Sequence, residues 1–273
     1  MRTLPLLVLS LLSIAGPAIS GASAPTSLAT SVLILTDASG SVVNGDTHVS
    51  DLIAAFTTTG ASITTNTTEL TNGSAMLSGL VTGWDVVIIV TVSGQQIDAA
   101  DIPVLQGAVN AGVSRAFIFF TDACNGCTAG SANAVLPIVN TVGGWSASLG
   151  SADNTYPFVA TLNGAGPYNA PFAGLPTILA GAYSPLVGVP APNVIYTVSS
   201  FVSGPMAVIA PSTGQSACVF MATDVTEFWV TGGTITSAQA NALATDFLNA
   251  AGDCAAATAA HARTWGSLKA LYR

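Results

Sequence analysis

The feature that most constrains the fold is a pair of short segments that are apolar at nearly every position. Residues 86–92 read VVIIVTV and residues 116–120 read AFIFF. A strand with one face in water alternates apolar and polar residues, whereas a strand covered by helices on both faces does not. The two segments therefore predict central strands of a mostly parallel sheet with helices on both faces.

Further apolar patterns surround these two segments. Residues 48–57, for example, place Val49, Leu52 and Phe56 at helical spacing. We expect strands over 32–36 and 61–67, and helices over 48–57, 74–80, 102–111 and 131–141. Strands that alternate with helices over short connections indicate an α/β fold with a doubly wound sheet.

The second half of the chain has a different pattern. Residues 143–175 are rich in Gly, Asn and Pro, which favours long loops. Strands are predicted over 194–198, 206–210 and 217–222, and the last two are expected to form a late β-hairpin extension. A helix is predicted over 237–251, capped by Ser237.

The N-terminus has the pattern of a secretory signal peptide. Arg2 precedes an apolar stretch over 4–14, and Ala22-Ser23-Ala24 fits the small-residue cleavage rule. We therefore expect residues 1–24 to be removed and the protein to be secreted, periplasmic or at the cell surface. The stretch is shorter than the ~20 residues that span a bilayer, and no later stretch is longer, so no integral membrane span is expected.

The C-terminus forms a distinct segment. Residues 25–254 are predicted to form a single domain, and residues 255–273 a tail. Arg263, Lys269 and Arg273 are three of the five basic residues of the chain. This asymmetry is typical of a sorting signal, with a terminal helix that frays as the alternative.

The charge composition excludes one class of partner. Only 7% of residues are charged, the net charge is −8, and Arg115 is the sole Lys or Arg between residues 3 and 262. Binding to phosphates requires clustered basic residues, so no nucleic-acid partner is expected.

Four cysteines predict disulfide bonds in an exported chain. Cys124, Cys127, Cys218 and Cys254 allow three pairings. We expect Cys124–Cys127, which closes a tight loop, and Cys218–Cys254, which joins a late strand to the C-terminal helix.

The order of these segments resembles the class I glutamine amidotransferase-like (flavodoxin-like) scaffold over residues 31–251. The resemblance rests on VLILTD at 32–37, GWDVVIIV at 83–90, AFIFFTD at 116–122, APFAGLP at 170–176 and the aromatic pair Phe228-Trp229. The APFAGLP segment is similar to the non-catalytic and trehalose-utilisation-type branches of that scaffold. The resemblance implies a layered α/β domain.

Enzymes of the resembled family place a nucleophilic Cys just after a central strand, with a His and an acid from the later half. Cys124 could occupy that turn, but His48 lies before or within the first helix and His261 lies in the tail. Neither follows the late strand, where Thr223-Asp224 stands, and a thiol without a base is a poor nucleophile. We therefore expect a non-catalytic binding or interaction module for a small polar ligand or a protein partner.

A thiol–disulfide oxidoreductase is a second interpretation. Cys124 and Cys127 lie between a predicted strand and a predicted helix, which is the arrangement of a thioredoxin-like redox motif. A helix N-terminus lowers the pKa of a thiol, so the chemistry is reasonable. The alternative is a structural disulfide, which is a common role of cysteine pairs in exported proteins.

Three aspartates each end a predicted strand. Asp37, Asp122 and Asp224 follow threonines, and ligands of open α/β sheets bind at the carboxyl ends of strands. Asp37, Ser39 and Ser41 also resemble the metal loop of von Willebrand A-type adhesion domains, with Asp122 as that family's later Asp, which would bind Ca²⁺ or Mg²⁺. The alternative is helix capping without any cofactor.

Overall fold

The computed structural model describes residues 31–36, 47–92, 95–123, 130–153, 157–200, 202–212 and 214–271, with side chains described as far as residue 255. The signal peptide and the cysteine pair Cys124 and Cys127 lie outside these residues. Their predicted roles therefore remain predictions.

The described chain forms eleven strands and four α-helices. The strands are β1 (Ser31–Leu35), β2 (Ser62–Asn66), β3 (Val86–Thr91), β4 (Ala116–Thr121), β5 (Ser148–Leu149), β6 (Phe158–Leu162), β7 (Thr177–Ala180), β8 (Leu186–Val187), β9 (Val194–Val198), β10 (Gly204–Ala210) and β11 (Cys218–Ala222). The helices are α1 (His48–Thr57), α2 (Asp101–Ala111), α3 (Gly130–Gly143) and α4 (Ser237–Leu271).

Nine strands form one mixed sheet in the order β2-β1-β3-β4-β11-β10-β9-β6-β7. The strands from β2 to β11 in that order run parallel, and those from β11 to β7 pair antiparallel. Strands β10 and β11 form the predicted late hairpin, while β5 and β8 form a separate two-stranded sheet. The predicted α/β class is confirmed.

Two apolar cores lie on opposite faces of the sheet. All six residues of β3 and all six of β4 are buried. Alternate residues of these strands point into different cores, as the strand period of two requires. One core contains apolar residues of α1 and α4, and the other contains those of α2 and α3. The sheet is therefore covered on both faces, as the apolar segments predicted.

The predicted helix over 74–80 is wrong. Only Ser78–Val81 is helical, as a single 3₁₀ turn. The Ser74 N–H donates to the side chain of Asn72, and the Met76 N–H donates to the Asp101 carboxylate at 2.7 Å. Because these donors are bonded outside the segment, a regular helix does not form there.

Two further predictions need correction in the second half. Residues 143–175 contain β6, which pairs with β7 and β9, so this region is not a long loop. Helix α4 is capped by Thr236 rather than Ser237. The Thr236 hydroxyl accepts from the Gln239 N–H, and the Gln239 side chain accepts from the Thr236 N–H, which is a capping box.

The disulfide Cys218–Cys254 is present, as predicted, and joins β11 to α4. It closes a loop with a sequence separation of 36 residues. Both cysteines are fully buried. Helix α4 is thereby fixed on the sheet at the amino end of β11.

None of the helices in the described part is long and apolar enough to cross a membrane.

We predict that the double variant C218A/C254A unfolds more readily than the wild type. Closing a loop of 36 residues in the unfolded chain is worth about 4 kcal/mol in chain entropy. Urea unfolding should show this loss in the free energy of unfolding. An unchanged midpoint would mean that the bond does not constrain the unfolded chain.

Phe247 of α4 is predicted to be a major contributor to stability. Its ring packs edge-on against Phe120, Phe172 and Phe220, with ring centroids 5.1 to 6.2 Å apart. Phe247→Ala should lower the free energy of unfolding by about 3–5 kcal/mol because it leaves a cavity. Leu77, which is 79% exposed, provides the control, since Leu77→Ala should have almost no effect. Equal effects of the two variants in urea unfolding would contradict this packing.

Candidate functional site

The carboxyl ends of the parallel strands meet at one edge of the sheet. Thr91, the last residue of β3, is in register with Thr121, the last residue of β4. The N–H of Ala123 donates to the carbonyl of Thr223 at 3.1 Å, which aligns the segments that follow β4 and β11. Asp122 and Asp224 therefore leave adjacent strands at the same edge.

Asp224 is fully buried at this edge. One carboxylate oxygen accepts from the N–H groups of Val225 and Thr226 at 2.8 and 2.9 Å, and the other accepts from the Gly181 N–H. Burial raises the pKa of Asp224, while these donors and the charge of His48 lower it. The donors fix the orientation of the carboxyl group.

Glu227 follows in a short 3₁₀ turn, Thr226–Phe228, and is 1% exposed. Its Oε2 atom is buried and has no hydrogen-bond partner. Burial first, and then the charges of Asp224 and Asp122, raise the pKa of Glu227 well above its ordinary value. Two neighbouring buried carboxyl groups do not both ionise readily, so this environment favours the protonated form of Glu227.

His48, the first residue of α1, lies at the same edge. Its ring centroid lies 4.5 Å from that of Trp229, and its charge acts on Asp224. Neither histidine follows the late strand in the sequence, as expected, but packing brings His48 to this edge from a distant part of the chain. Cys124 lies outside the described residues, so the expected lack of amidotransferase activity stays a prediction.

Hydrogen bonds hold the start of α1 against the segment after β11. The Asp51 carboxylate accepts from the N–H and hydroxyl of Thr231 at 2.9 and 3.1 Å. The Trp229 Nε1–H donates to the Thr47 hydroxyl, which in turn donates to Asp51. A Cβ at Gly232 would collide with the Trp229 ring, so only glycine fits there. These contacts bring His48 to the edge at which Asp224 lies.

Four titratable side chains thus form what we call the edge cluster: His48, Asp122, Asp224 and Glu227. Asp224 and Glu227 are buried, whereas His48 and Asp122 are half-buried. Among the described residues, no group of three or more His, Cys, Asp or Glu side chains has the geometry to hold a metal ion.

A further buried polar atom lies on the same face of the sheet. The Thr36 hydroxyl, just after β1, has no hydrogen-bond partner, and the residue is 1% exposed. Val32 and Ile34 point into the core that contains α1 and α4. By the period of two, Thr36 points to that face as well, where α1 and His48 lie.

The opposite face of this edge has its own polar atoms without partners. The Gln95 side-chain oxygen accepts from the Val92 N–H at 3.0 Å, while its Nε2 is buried and has no acceptor. The Thr91 hydroxyl also has no partner. Ser131 of α3 donates to the Gln95 carbonyl, which fixes this loop to α3.

The structure places only some of the sequence-predicted site residues. Asp122 and Asp224 lie at the shared edge, as described above. Asp37, Ser39 and Ser41 lie outside the described residues, so the von Willebrand-type metal loop remains untested. Sequence analysis did not identify Glu227 as a site residue. Its spacing of three residues from Asp224, just after a buried strand, was the available signal.

Comparisons with known proteins support the fold. No family model and no curated protein sequence matches the chain. Similar solved structures include ThuA-like proteins from Bacteroides uniformis (14% identity, TM-score 0.47, covering 83% of this chain and 95% of that one) and Parabacteroides merdae (9%, 0.46, 80% and 89%). A GMP synthase subunit from Thermoplasma acidophilum matches at 10% identity and a TM-score of 0.50, covering 85% of this chain and 98% of that one. At these identities the likeness to the Thermoplasma acidophilum structure concerns the α/β fold alone.

The buried carboxyl groups predict that the protein is more stable at mildly acidic than at alkaline pH. Burial raises the pKa of Asp246 from 3.8 to about 6. Between these values the folded chain binds more protons than the unfolded chain, so stability falls as pH rises through that window. Asp101, Asp224, Glu227 and Asp253 act in the same direction.

Asp246→Asn removes the titration of one of these groups. At pH 8 it should raise the free energy of unfolding by no more than about 1 kcal/mol, because the side chain is only half-buried. At pH 3.5 the variant and the wild type should be equally stable. Thermal unfolding across this pH range makes the measurement, and a wild type that gains stability from pH 4 to 8 would contradict the assignment.

Proposed function

We propose that this protein is an exported, non-catalytic binding module that holds a small polar ligand at the edge cluster. The observation that carries the proposal is the Glu227 carboxyl, which is buried beside two other carboxyl groups with one oxygen unpartnered. Buried polar atoms in proteins are nearly always hydrogen-bonded, and exceptions are often functional.

A ligand would supply the hydrogen bond that the Glu227 carboxyl lacks. A buried polar atom without a partner costs about 1–3 kcal/mol. Glu227 presents such an atom within the edge cluster. A ligand that bonds to this atom recovers this energy, so the unbound arrangement favours binding. The position, outside the carboxyl ends of parallel strands, is where open α/β sheets bind ligands.

Export is part of the proposal and has separate support. The Cys218–Cys254 disulfide persists in oxidising compartments and is rare in reducing ones. The signal-peptide pattern at residues 1–24 points the same way. The thiol–disulfide and cation-dependent alternatives depend on residues outside the described part of the chain and remain predictions.

Thermal shift in the presence of small molecules tests the binding function. We expect at least one of four classes, namely polyols, amides, amines and carboxylates, to raise the melting temperature of the wild type. A ligand at one hundred times its Kd adds about 2.7 kcal/mol to the free energy of unfolding. Glu227→Gln should reduce the shift because it removes the buried carboxyl.

Asp253→Asn is the matched control. Asp253 is also a partly buried carboxyl with a raised pKa, but it adjoins Cys254 at the amino end of β11, on the opposite edge. This variant should respond to ligand as the wild type does. The absence of a shift in all four classes, or equal loss of the shift in both variants, would contradict binding at the edge cluster.

A further inference from the structure

Two asparagines in the connection between β2 and β3 have the acceptor pattern for N-linked glycans. Asn66-Thr67-Thr68 and Asn72-Gly73-Ser74 both read Asn-x-Ser/Thr, without proline at the middle position. Asn66 is the last residue of β2, and Asn72 directly follows the 3₁₀ turn Glu69–Thr71. A glycan is bulky and hydrated, so only an asparagine at the surface of the folded chain can carry one. The structure therefore determines whether each pattern is usable.

Asn72 meets this requirement. It is exposed, as are Gly73 and Ser74. Its Oδ1 atom accepts from the N–H and the hydroxyl of Ser74 at 2.8 and 2.7 Å. These bonds join residues two positions apart, so the turn can form before the rest of the chain folds. They engage only the amide oxygen and leave Nδ2, the atom that receives a glycan, without a hydrogen bond in the described part of the chain.

Asn66 is half-buried and has a similar local turn. Its Oδ1 atom accepts from the N–H groups of Thr68 and Glu69, both at 3.1 Å. Thr67 and Thr68, the other two residues of the pattern, are exposed. Both asparagines are thus held through the amide oxygen by the residues that follow them, which leaves the amide nitrogen available.

Strand β2 gives a physical reason for glycans at this place. It is the outermost strand of the nine-stranded sheet and pairs only with β1 among the described strands. Exposed edge strands favour pairing with another chain, and proteins commonly discourage this with charged side chains or proline. Strand β2 reads SITTN and contains neither, in a chain of which only 7% is charged. At the opposite edge of the sheet, β7 directly follows Pro176.

We propose that Asn66 and Asn72 carry N-linked glycans and that these glycans prevent β2 from pairing with another chain. The inference depends on the export proposed above. It does not depend on the binding function, because β2 lies four strands from β11 in the sheet.

The modification is a group transfer by an oligosaccharyltransferase, whose donor is an oligosaccharide joined through C1 to a lipid diphosphate. The asparagine Nδ2 forms a bond to C1 as the bond between C1 and the diphosphate oxygen breaks. The lipid diphosphate leaves with the bonding electrons, and one Nδ2 proton passes to a carboxylate of the transferase.

Secretion of the full chain from a eukaryotic cell line tests the modification. One form keeps residues 1–24, and in a second form a signal peptide of known activity replaces them. Peptide-N-glycosidase F converts a glycosylated asparagine into aspartate, which peptide mass spectrometry identifies. Chymotrypsin suits the digestion, because Arg115 is the only trypsin site between residues 3 and 262, whereas Leu70 separates the two asparagines. We expect both asparagines of the secreted protein to be converted.

Variants assign each glycan to its position. Asn72→Gln and Ser74→Ala should each remove only the glycan at Asn72, since Ser74→Ala keeps the asparagine but removes the hydroxyl of the pattern. Asn66→Gln should remove only the other glycan. Asn110→Gln is the matched control, because Asn110 is also exposed but has no Ser or Thr two positions after it.

Self-association tests the shielding of β2. In sedimentation velocity at equal concentration, the deglycosylated protein should form more dimers and larger species than the glycosylated protein. Thr64→Lys adds a charge at an exposed position of β2 and should suppress this association in the deglycosylated protein. Asn110→Lys adds the same charge away from β2 and should not suppress it.

The outcomes separate export, modification and shielding. An unmodified asparagine in the secreted protein overturns the assignment at that position and leaves export standing. A chain that is secreted only with the replaced signal peptide overturns export and, with it, the modification of the natural chain. Glycosylated protein that associates no more strongly after deglycosylation overturns the shielding of β2 alone.

Discussion

The burial of β3 and β4 on both faces is the constraint on which the rest of the structure depends. Strands without a polar face need helices on both sides of the sheet. Helices take these positions when they connect one strand to the next parallel strand, so such a sheet is mostly parallel. Parallel strands share one carboxyl edge. The first polar residues after each apolar segment are therefore brought to the same place, so the composition of the strands determines where polar groups collect.

The edge cluster follows from this arrangement together with the packing of α1. Asp122 and Asp224 reach the edge directly from their strands, whereas His48 is brought there by hydrogen bonds between Asp51 and Thr231. Burial of Asp224 and Glu227 opposes their ionisation, which raises the pKa of both carboxyl groups. Such a cost to stability is typical of sites that are selected for interaction rather than for folding.

The sequence predicted those parts of the fold that depend on local pattern. The bounds of β3, β4 and β9 agree to within one residue with continuous apolar segments of the sequence. The Cys218–Cys254 disulfide was predicted as a link between a late strand and the C-terminal helix. Strand β6 was missed because Gly and Asn on both sides of it give the same signal as a loop. The segment over 74–80 was misjudged because its N–H groups bond to Asn72 and Asp101, which helical periodicity does not reveal.

The site was less predictable than the fold for a related reason. The contact between Asp51 and Thr231 joins residues 180 positions apart, so no local pattern places His48 beside Asp224. Glu227 lies in the 3₁₀ turn after β11, which packs against α1 and β7, elements that are distant from it in the sequence. Sequence analysis could identify Asp122 and Asp224 from their positions after strands, but not the two side chains that complete the cluster.

We expect the Glu227 carboxyl of the edge cluster to be buried and protonated at neutral pH. Infrared difference spectroscopy of the wild type against Glu227→Gln measures this most directly, because a protonated carboxyl has a carbonyl stretch distinct from that of a carboxylate. We expect this band to be present in the wild type at pH 7 and absent from the variant. A wild-type spectrum in which Glu227 contributes only carboxylate bands would contradict it.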